Sequence, residues 1–103
     1  MVYKLEYTRS FEEDLDSTLD YLKNILYNSA AASKLYNDIK KTFELVCVQP
    51  EMFPLHKLKR IRDRGYRFFT IGKYLIFYSV DHEKHIIFAH TIVYGARELN
   101  NIF

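Results

Sequence analysis

The spacing of hydrophobic and polar residues changes twice along this chain, and each change predicts a different kind of element. At the start, the side chains alternate as they do on the two faces of a β-strand: Val2, Lys4 and Glu6 against Tyr3, Leu5 and Tyr7. This alternation predicts a strand over Val2–Tyr7.

The following forty residues have the spacing of helices. Apolar positions recur at steps of three and four in two stripes: Phe11, Leu15, Thr18, Leu22 and Ile25, then Ala32, Leu35, Ile39, Phe43 and Val46. Ser10, with Glu13 three residues later, has the spacing of a capping box, and Ser29 is predicted to cap the second helix. The first helix should end near Tyr27, and Gln49-Pro50 should end the second. A tight link between them predicts an antiparallel hairpin.

After an irregular connection, predicted over Pro50–Lys59, the pattern returns to strands. Three runs are predicted to form a meander: Tyr66–Ile71, Tyr74–Val80 and His85–Val93. In the last run, Ile86, Phe88, His90 and Ile92 are expected to face opposite to Ile87, Ala89, Thr91 and Val93. The tail should form a short turn, with Ile102 and Phe103 packing back.

The predicted fold class is therefore α+β. An N-terminal strand is followed by an antiparallel helix hairpin and then by a C-terminal antiparallel three-stranded meander, with the helices packed on one face of the sheet. At 103 residues, we expect a single domain over positions 1–103. The single Cys47 excludes an internal disulfide and any multi-cysteine zinc site, and it favours a reducing, cytoplasmic setting. No apolar run approaches the roughly 20 residues that cross a bilayer, so no membrane partner is expected.

Charge is concentrated in the middle of the chain. His56–Lys73, called the basic segment below, holds seven of the 15 Lys and Arg residues and one acid, Asp63. Its net charge is +6, against +2 for the whole chain. We expect such a surface to attract a polyanion or an acidic protein. The residues predicted to bind the target or a nucleic acid are Lys57, Lys59, Arg60, Arg62, Arg64, Tyr66 and Lys73.

Two interpretations of this segment remain open. In the functional one, Arg67 joins the preceding cations on one side of the sheet, and the rings of Tyr66, Phe68 and Tyr74 stack on the bases of single-stranded RNA. In the structural one, the charges only solvate a sheet edge and the rings belong to the core. Arg97 is similarly open, since it could pair with Glu98 or an acid of the hairpin, or share a cationic pocket with Arg67.

Several kinds of site are missing from the sequence. With three glycines in all, it has no Gly-rich phosphate loop, and it has neither a His-Glu-x-x-His pair nor a nucleophile elbow. His82 and His85 flank a turn without further ligands at metal-binding spacing. We therefore predict no metal site and no cofactor.

The chain resembles the RelE/ParE superfamily of bacterial type II toxins, and more closely its ParE-like, plasmid-stabilisation branch. The resemblance covers nearly the whole chain and depends on the order and spacing of five segments: Asp14–Tyr21, Gln49-Pro50, Gly65–Arg67, Lys73–Val80 and Val93–Leu99. It implies a growth inhibitor that is neutralised by a cognate antitoxin, whose extended or helical segment would dock on the toxin.

The two branches of the superfamily imply different targets. A RelE-like protein would be a metal-independent endoribonuclease that cuts mRNA on the ribosome, with Arg67, Arg97 and His56 as its catalytic residues. Two departures count against it: Leu75 stands where that branch commonly has arginine, and Phe103 stands in place of a terminal tyrosine, so that His56 and His90 would have to substitute.

A ParE-like protein would instead poison DNA gyrase through protein contact, without catalytic residues. The long hairpin, residues 10–47, and the two departures favour this branch. A third interpretation is a non-toxic domain that simply binds nucleic acid, with an affinity that falls steeply with salt.

Overall fold

The computed structural model describes residues 2–95 of the chain. Its elements, in chain order, are strand β1 (Lys4–Tyr7), helix α1 (Arg9–Asp20), a π-helical turn (Tyr21–Ile25), helix α2 (Ser29–Val48), the one-turn helix α3 (Lys59–Arg62), and strands β2 (Arg67–Ile71), β3 (Tyr74–Asp81) and β4 (Ile86–Tyr94). This order confirms the predicted α+β fold, with a strand, a helix hairpin and then a three-stranded meander.

The four strands form one mixed sheet in the order β1-β4-β3-β2. Strands β2, β3 and β4 pair antiparallel, whereas β1 pairs parallel to β4, with Leu5 opposite Ile87. A parallel pair needs a long crossover connection, which the helix hairpin supplies. The first strand of the chain therefore lies at one edge of the sheet, beside the last.

The main core lies between the helix hairpin and one face of the sheet. Phe43 of α2 is fully buried, and its ring meets those of Phe11, Phe69 and Tyr78 edge-on, with ring centroids 5.2–6.1 Å apart. The predicted inward residues of both helices are confirmed where burial is complete or nearly so: Phe11, Leu15, Ala32, Leu35, Ile39, Phe43 and Val46. Ile25 was wrongly predicted to lie in this stripe: it is 59% exposed, because α1 ends at Asp20 and the π-helical turn that follows does not keep the α-helical spacing. Tyr3, Leu5 and Tyr7 of the first strand also pack on this core, as the alternation predicted.

A β-bulge interrupts the alternation in β4. Phe77 pairs with Thr91, but the next residue of β3, Tyr78, pairs with Ala89, so His90 is an extra residue on β4. Beyond the bulge the faces exchange, and Ile92 belongs to the helix-side core while Val93 packs on the opposite face. The predicted grouping of Ile92 and Val93 was therefore wrong.

Asp14 of α1 connects the helix hairpin to this bulge. Its carboxylate accepts hydrogen bonds from the Thr91 hydroxyl and from the backbone N–H of Ile92, the latter at 3.1 Å. A hydrogen bond to a carboxylate is about twice as strong as a neutral one, so this contact fixes where α1 crosses β4.

The face of the sheet opposite the helices is covered by residues 56–66, called the covering segment below. Ile61, at 0% exposure, packs there against Phe77 and Val93. Partly buried Tyr66, Phe68 and Leu75 complete this second, smaller core. The sequence placed an irregular connection before Lys59, but it did not predict the helical turn α3, which surrounds Ile61.

The predicted helix caps were wrong by one or two residues. The hydroxyl of Thr8, and not that of Ser10, accepts from the N–H three residues on, and the side chain of Asn28, and not that of Ser29, accepts from Ala31. Arg9 pairs with Glu13 instead of leaving it for a capping box. Over residues 2–95, no helix combines the length and the apolar character needed to span a bilayer. Arg97, Ile102 and Phe103 lie outside the described residues.

Candidate functional site

The covering segment presents its charged side chains away from the sheet. Because Ile61 points into the second core, the polar residues around it are left at the surface, and five candidate cations are exposed there: Lys57, Lys59, Arg60, Arg62 and Arg64. Lys59 contacts Asp63 at 2.6 Å, an exposed i,i+4 pair of small energetic value. Arg62 donates to the carbonyl of Lys57 at 3.3 Å. The structure thus brings these five cations together.

Tyr66 ends the covering segment in a contact with the bulge. Its ring stacks on the imidazole of His90, with centroids 4.3 Å apart and planes 20° apart. The Nε2 atom of His90 lies 2.6 Å from the Ser79 hydroxyl, and burial lowers the pKa of His90. One face of the Tyr66 ring is therefore covered by His90 and is not open to a ligand.

Arg67 does not join the cations of the covering segment. It lies opposite Tyr78 in the sheet, and its side chain, 19% exposed, points to the helix side. There it donates to the carbonyl of Phe53 at 2.8 Å, and its guanidinium lies 3.4 Å from the carboxylate of Glu51. The expectation that Arg67 and the preceding cations lie on one side of the sheet was wrong, because the strand alternation sends Arg67 to the other face.

Glu51 links Arg67 to a histidine that sequence reasoning did not connect with it. His82 lies 3.1 Å from Glu51 through Nε2 and 2.7 Å from the Tyr3 hydroxyl through Nδ1. Because a carboxylate only accepts, Nε2 carries the hydrogen, and in the neutral imidazole Nδ1 therefore accepts from the Tyr3 hydroxyl. The residues of this hydrogen-bond network lie as far apart in the sequence as positions 3 and 82, so no local pattern could reveal it. Among residues 2–95, no group of three or more His, Cys, Asp and Glu side chains is placed to hold a metal ion.

His56 lies beneath the start of the covering segment. It is 5% exposed, its Nδ1 accepts from the N–H of Leu58 at 3.1 Å, and its ring lies 4.9 Å from that of Phe68. Burial, and then the charge of Lys57, lowers its pKa. Lys73 is exposed but lies in the β2–β3 turn, at the far end of β2 from the covering segment. The catalytic set of His56, Arg67 and Arg97 stays a prediction, with its first two members on opposite faces of the sheet.

Two histidines, the buried His56 and the half-buried His90, make stability depend on pH. For His56 and His90, the pKa in the folded chain is below the ordinary 6.5, so the unfolded chain binds more protons as the pH falls below that value. Stability should be full above pH 6.5 and should decrease from there towards the folded pKa values. Urea unfolding between pH 7.5 and 5.5 measures this decrease, and the double variant His56→Gln/His90→Gln should flatten it. A free energy of unfolding that increases as the pH falls from 7.5 to 5.5 would contradict the prediction.

Comparison with known proteins finds one matching family and several solved structures with the same fold. The model of the ParE toxin of the type II toxin–antitoxin system parDE matches residues 5–99. The chromosomal ParDE toxin–antitoxin system from P. aeruginosa superposes with a TM-score of 0.70 at 18% identity, covering 92% of this chain and 98% of that chain. The RelBE2 toxin–antitoxin complex from Mycobacterium tuberculosis does so with a TM-score of 0.62 at 13% identity, covering 91% and 99%. At these identities the structural likeness shows the fold alone.

No curated protein sequence matches the chain. The family assignment depends instead on the ParE match, which extends from β1 to beyond β4. The chain therefore belongs to the ParE toxin family of type II toxin–antitoxin systems.

Proposed function

We propose that this chain is a cytoplasmic, growth-inhibiting toxin that acts on DNA gyrase through protein contact and is neutralised by a cognate antitoxin. The observation that carries the choice of target is the placement of His56 and Arg67. These two candidate nuclease residues lie on opposite faces of the sheet, and each contacts the backbone through its side chain. A pair separated in this way cannot act on one phosphate, whereas inhibition by binding needs no catalytic pair.

The antitoxin proposal is supported by an apolar groove beside the edge strand β1. The groove has a volume of about 440 Å³ and is lined mainly by apolar side chains of β1 and α2: Val2, Tyr3, Leu5, Tyr7, Tyr36, Phe43 and Cys47, with Lys40 and Glu44. Strand β1 pairs with β4 and ends the sheet. An open edge next to an apolar groove suits an extended or helical partner segment. The two solved relatives are described as a toxin–antitoxin system and a toxin–antitoxin complex.

The target is tested by adding the purified chain to gyrase with relaxed plasmid. We expect supercoiling to be inhibited, while a parallel toeprinting assay on stalled ribosomes finds the message intact. Full supercoiling at high toxin excess would reject gyrase as the target.

The antitoxin groove is tested by co-expression with the small protein encoded beside the toxin. Restored growth is expected for the unchanged toxin, and Tyr36→Asp should weaken the rescue because Tyr36 lines the groove. Leu45→Asp is the matched control, since Leu45 is an exposed residue of the same helix outside the groove lining. Equal rescue of the two variants would reject the groove.

Ribosome-dependent mRNA cleavage is the second candidate, and one observation favours it. His90, whose pKa burial lowers, lies beside the Ser79 hydroxyl on the face that the cationic covering segment crosses. A neutral imidazole there could accept a proton from a substrate hydroxyl. Cuts in the ribosomal A site that disappear in His90→Gln would favour this candidate. Induction without growth arrest would instead favour a non-toxic nucleic-acid-binding domain.

A further inference from the structure

We infer that the outward side of residues 57–64 binds the phosphate backbone of duplex DNA, independently of sequence. The inference deepens the proposed function, on which it rests for its biological setting: a toxin at gyrase meets the DNA that the enzyme holds. DNA then becomes a second partner beside the protein contact.

The first argument is that the fold holds these cations in place. Ile61 is fully buried under the segment, and the N–H groups of Arg62 and Gly65 donate to Leu58 and Arg62 at 2.8 Å each. Five exposed cations thus extend from an ordered turn anchored in the second core. Preorganised cations lose less conformational freedom when they bind phosphate than cations on an unstructured loop.

The second argument is that the nearby aromatic rings are already engaged by the fold. Tyr66 stacks on His90, Phe68 packs in the second core against His56, and Tyr74 packs on the opposite, helix-side core. Recognition of single strands depends on rings that are open to successive bases. The segment therefore offers charge more than stacking, which suits the regular phosphates of a duplex.

The third argument is the uneven distribution of charge between the two sides of the molecule. Four exposed acids lie on α1, across the sheet from the covering segment: Glu12, Glu13, Asp16 and Asp20. The covering segment has one acid, Asp63, which pairs with Lys59. The helix layer also carries cations, but the seven acids of residues 9–44 outnumber the five Lys and Arg residues there. A polyanion is thus attracted more strongly to the covering segment than to the helix layer, which favours one docking orientation.

An acidic peptide is the competing partner. Peptide recognition combines charges with apolar anchors in pockets. Of the two apolar residues of 57–64, Ile61 is fully buried and Leu58 is 37% exposed, so the segment offers a peptide one apolar anchor, whereas the apolar groove described above lies at β1 and α2. The observations therefore favour phosphate.

The test is fluorescence anisotropy of a labelled 20-base-pair duplex, titrated with the whole chain at several salt concentrations. The test variant is Lys57→Gln/Lys59→Gln/Arg60→Gln, and the matched control is Lys23→Gln/Lys34→Gln/Lys41→Gln on the helix hairpin. Each triple removes three exposed cations, among them the lysine of an i,i+4 pair with an aspartate, Lys59 with Asp63 or Lys34 with Asp38, so the net charge is the same in both.

We expect the unchanged chain to bind with an affinity that falls as salt rises. The slope of log K against log[salt] should be reduced by about 3 in the test variant, since each phosphate-contacting cation contributes about 1. Its affinity at 0.1 M salt should fall by about tenfold or more. The control should stay close to the unchanged chain, and oligo(dT) should not bind more tightly than the duplex.

Several results would overturn the inference. They are an absence of duplex binding at 50 mM salt, equal losses in the two variants, tighter binding of oligo(dT), or tighter binding of a poly-glutamate peptide, which would assign the surface to an acidic protein. The assay contains no gyrase, so its outcome is separate from that of the supercoiling test. Supercoiling inhibition with no DNA binding rejects only the inference, and DNA binding with no inhibition rejects only the proposed target.

Discussion

Replacing Phe43 by alanine should lower the free energy of unfolding by about 3–5 kcal/mol, the range measured for buried phenylalanines in other proteins. Phe43 lies where the helices meet the sheet, and its ring contacts Phe11 of α1, Phe69 of β2 and Tyr78 of β3. Removing it takes contacts from both layers at once and leaves a cavity that neighbours on three elements cannot easily close. Urea unfolding followed by circular dichroism measures the change.

Leu45 provides the matched control for Phe43. It lies two residues further along α2 and is 58% exposed, so Leu45→Ala should change stability by about 0.5 kcal/mol or less. Both substitutions put alanine into the same helix, so a helix-propensity effect acts in the same direction in each. Similar losses in the two variants would show that Phe43 is not the centre of the core.

The fold was predictable because most of its elements are periodic over several turns or strand residues. The helix stripes of Phe11 and Leu15 in α1 and of Leu35 and Ile39 in α2 are long enough that a missed cap does not change which side is buried. The caps themselves depend on a single residue, and Thr8 and Ser10 are chemically equivalent there, so the sequence could not choose between them.

The bulge shows where local periodicity fails. One extra residue, His90, exchanges the faces of Ile92 and Val93, and nothing in the local sequence marks that position because both are apolar and β-branched. The contact of Asp14 with Thr91 and Ile92 joins positions nearly eighty residues apart. Such pairings are set by the folded arrangement and not by spacing along the chain.

The positive charge of the candidate site was predictable, but the face of the sheet on which each cation lies was not. The density of cations between Lys57 and Arg64 is visible in the sequence, and the structure keeps them together at the surface. Arg67 is only three residues further on, but strand β2 begins there and directs it to Glu51 on the other face. Placing Arg67 correctly requires knowing which face β2 gives to the helices, and that is set by its pairing with β3.

The same two-sided arrangement predicts the effect of changes at Ile61. Ile61→Ala should cost about 2–5 kcal/mol and Ile61→Val about 0.5–1.5 kcal/mol, because the side chain is fully buried against Phe77 and Val93. Truncating the Ile61 side chain should first loosen the covering segment, which packs on the face of the sheet opposite the helices. Native-state hydrogen exchange should show faster exchange of the Arg62 and Gly65 amides, which bond within that segment.

Amides of the β3–β4 pairing and of α2 should keep their protection in Ile61→Val, because the main core lies on the other side of the sheet. Leu58→Ala is the control within the segment, since Leu58 is 37% exposed and should cost less than Ile61→Ala. A uniform loss of protection over both faces would contradict the two-core arrangement. If the second core holds the cations for DNA, Ile61→Val should also weaken duplex binding although it removes no charge, because the five cations then lose part of their ordered scaffold.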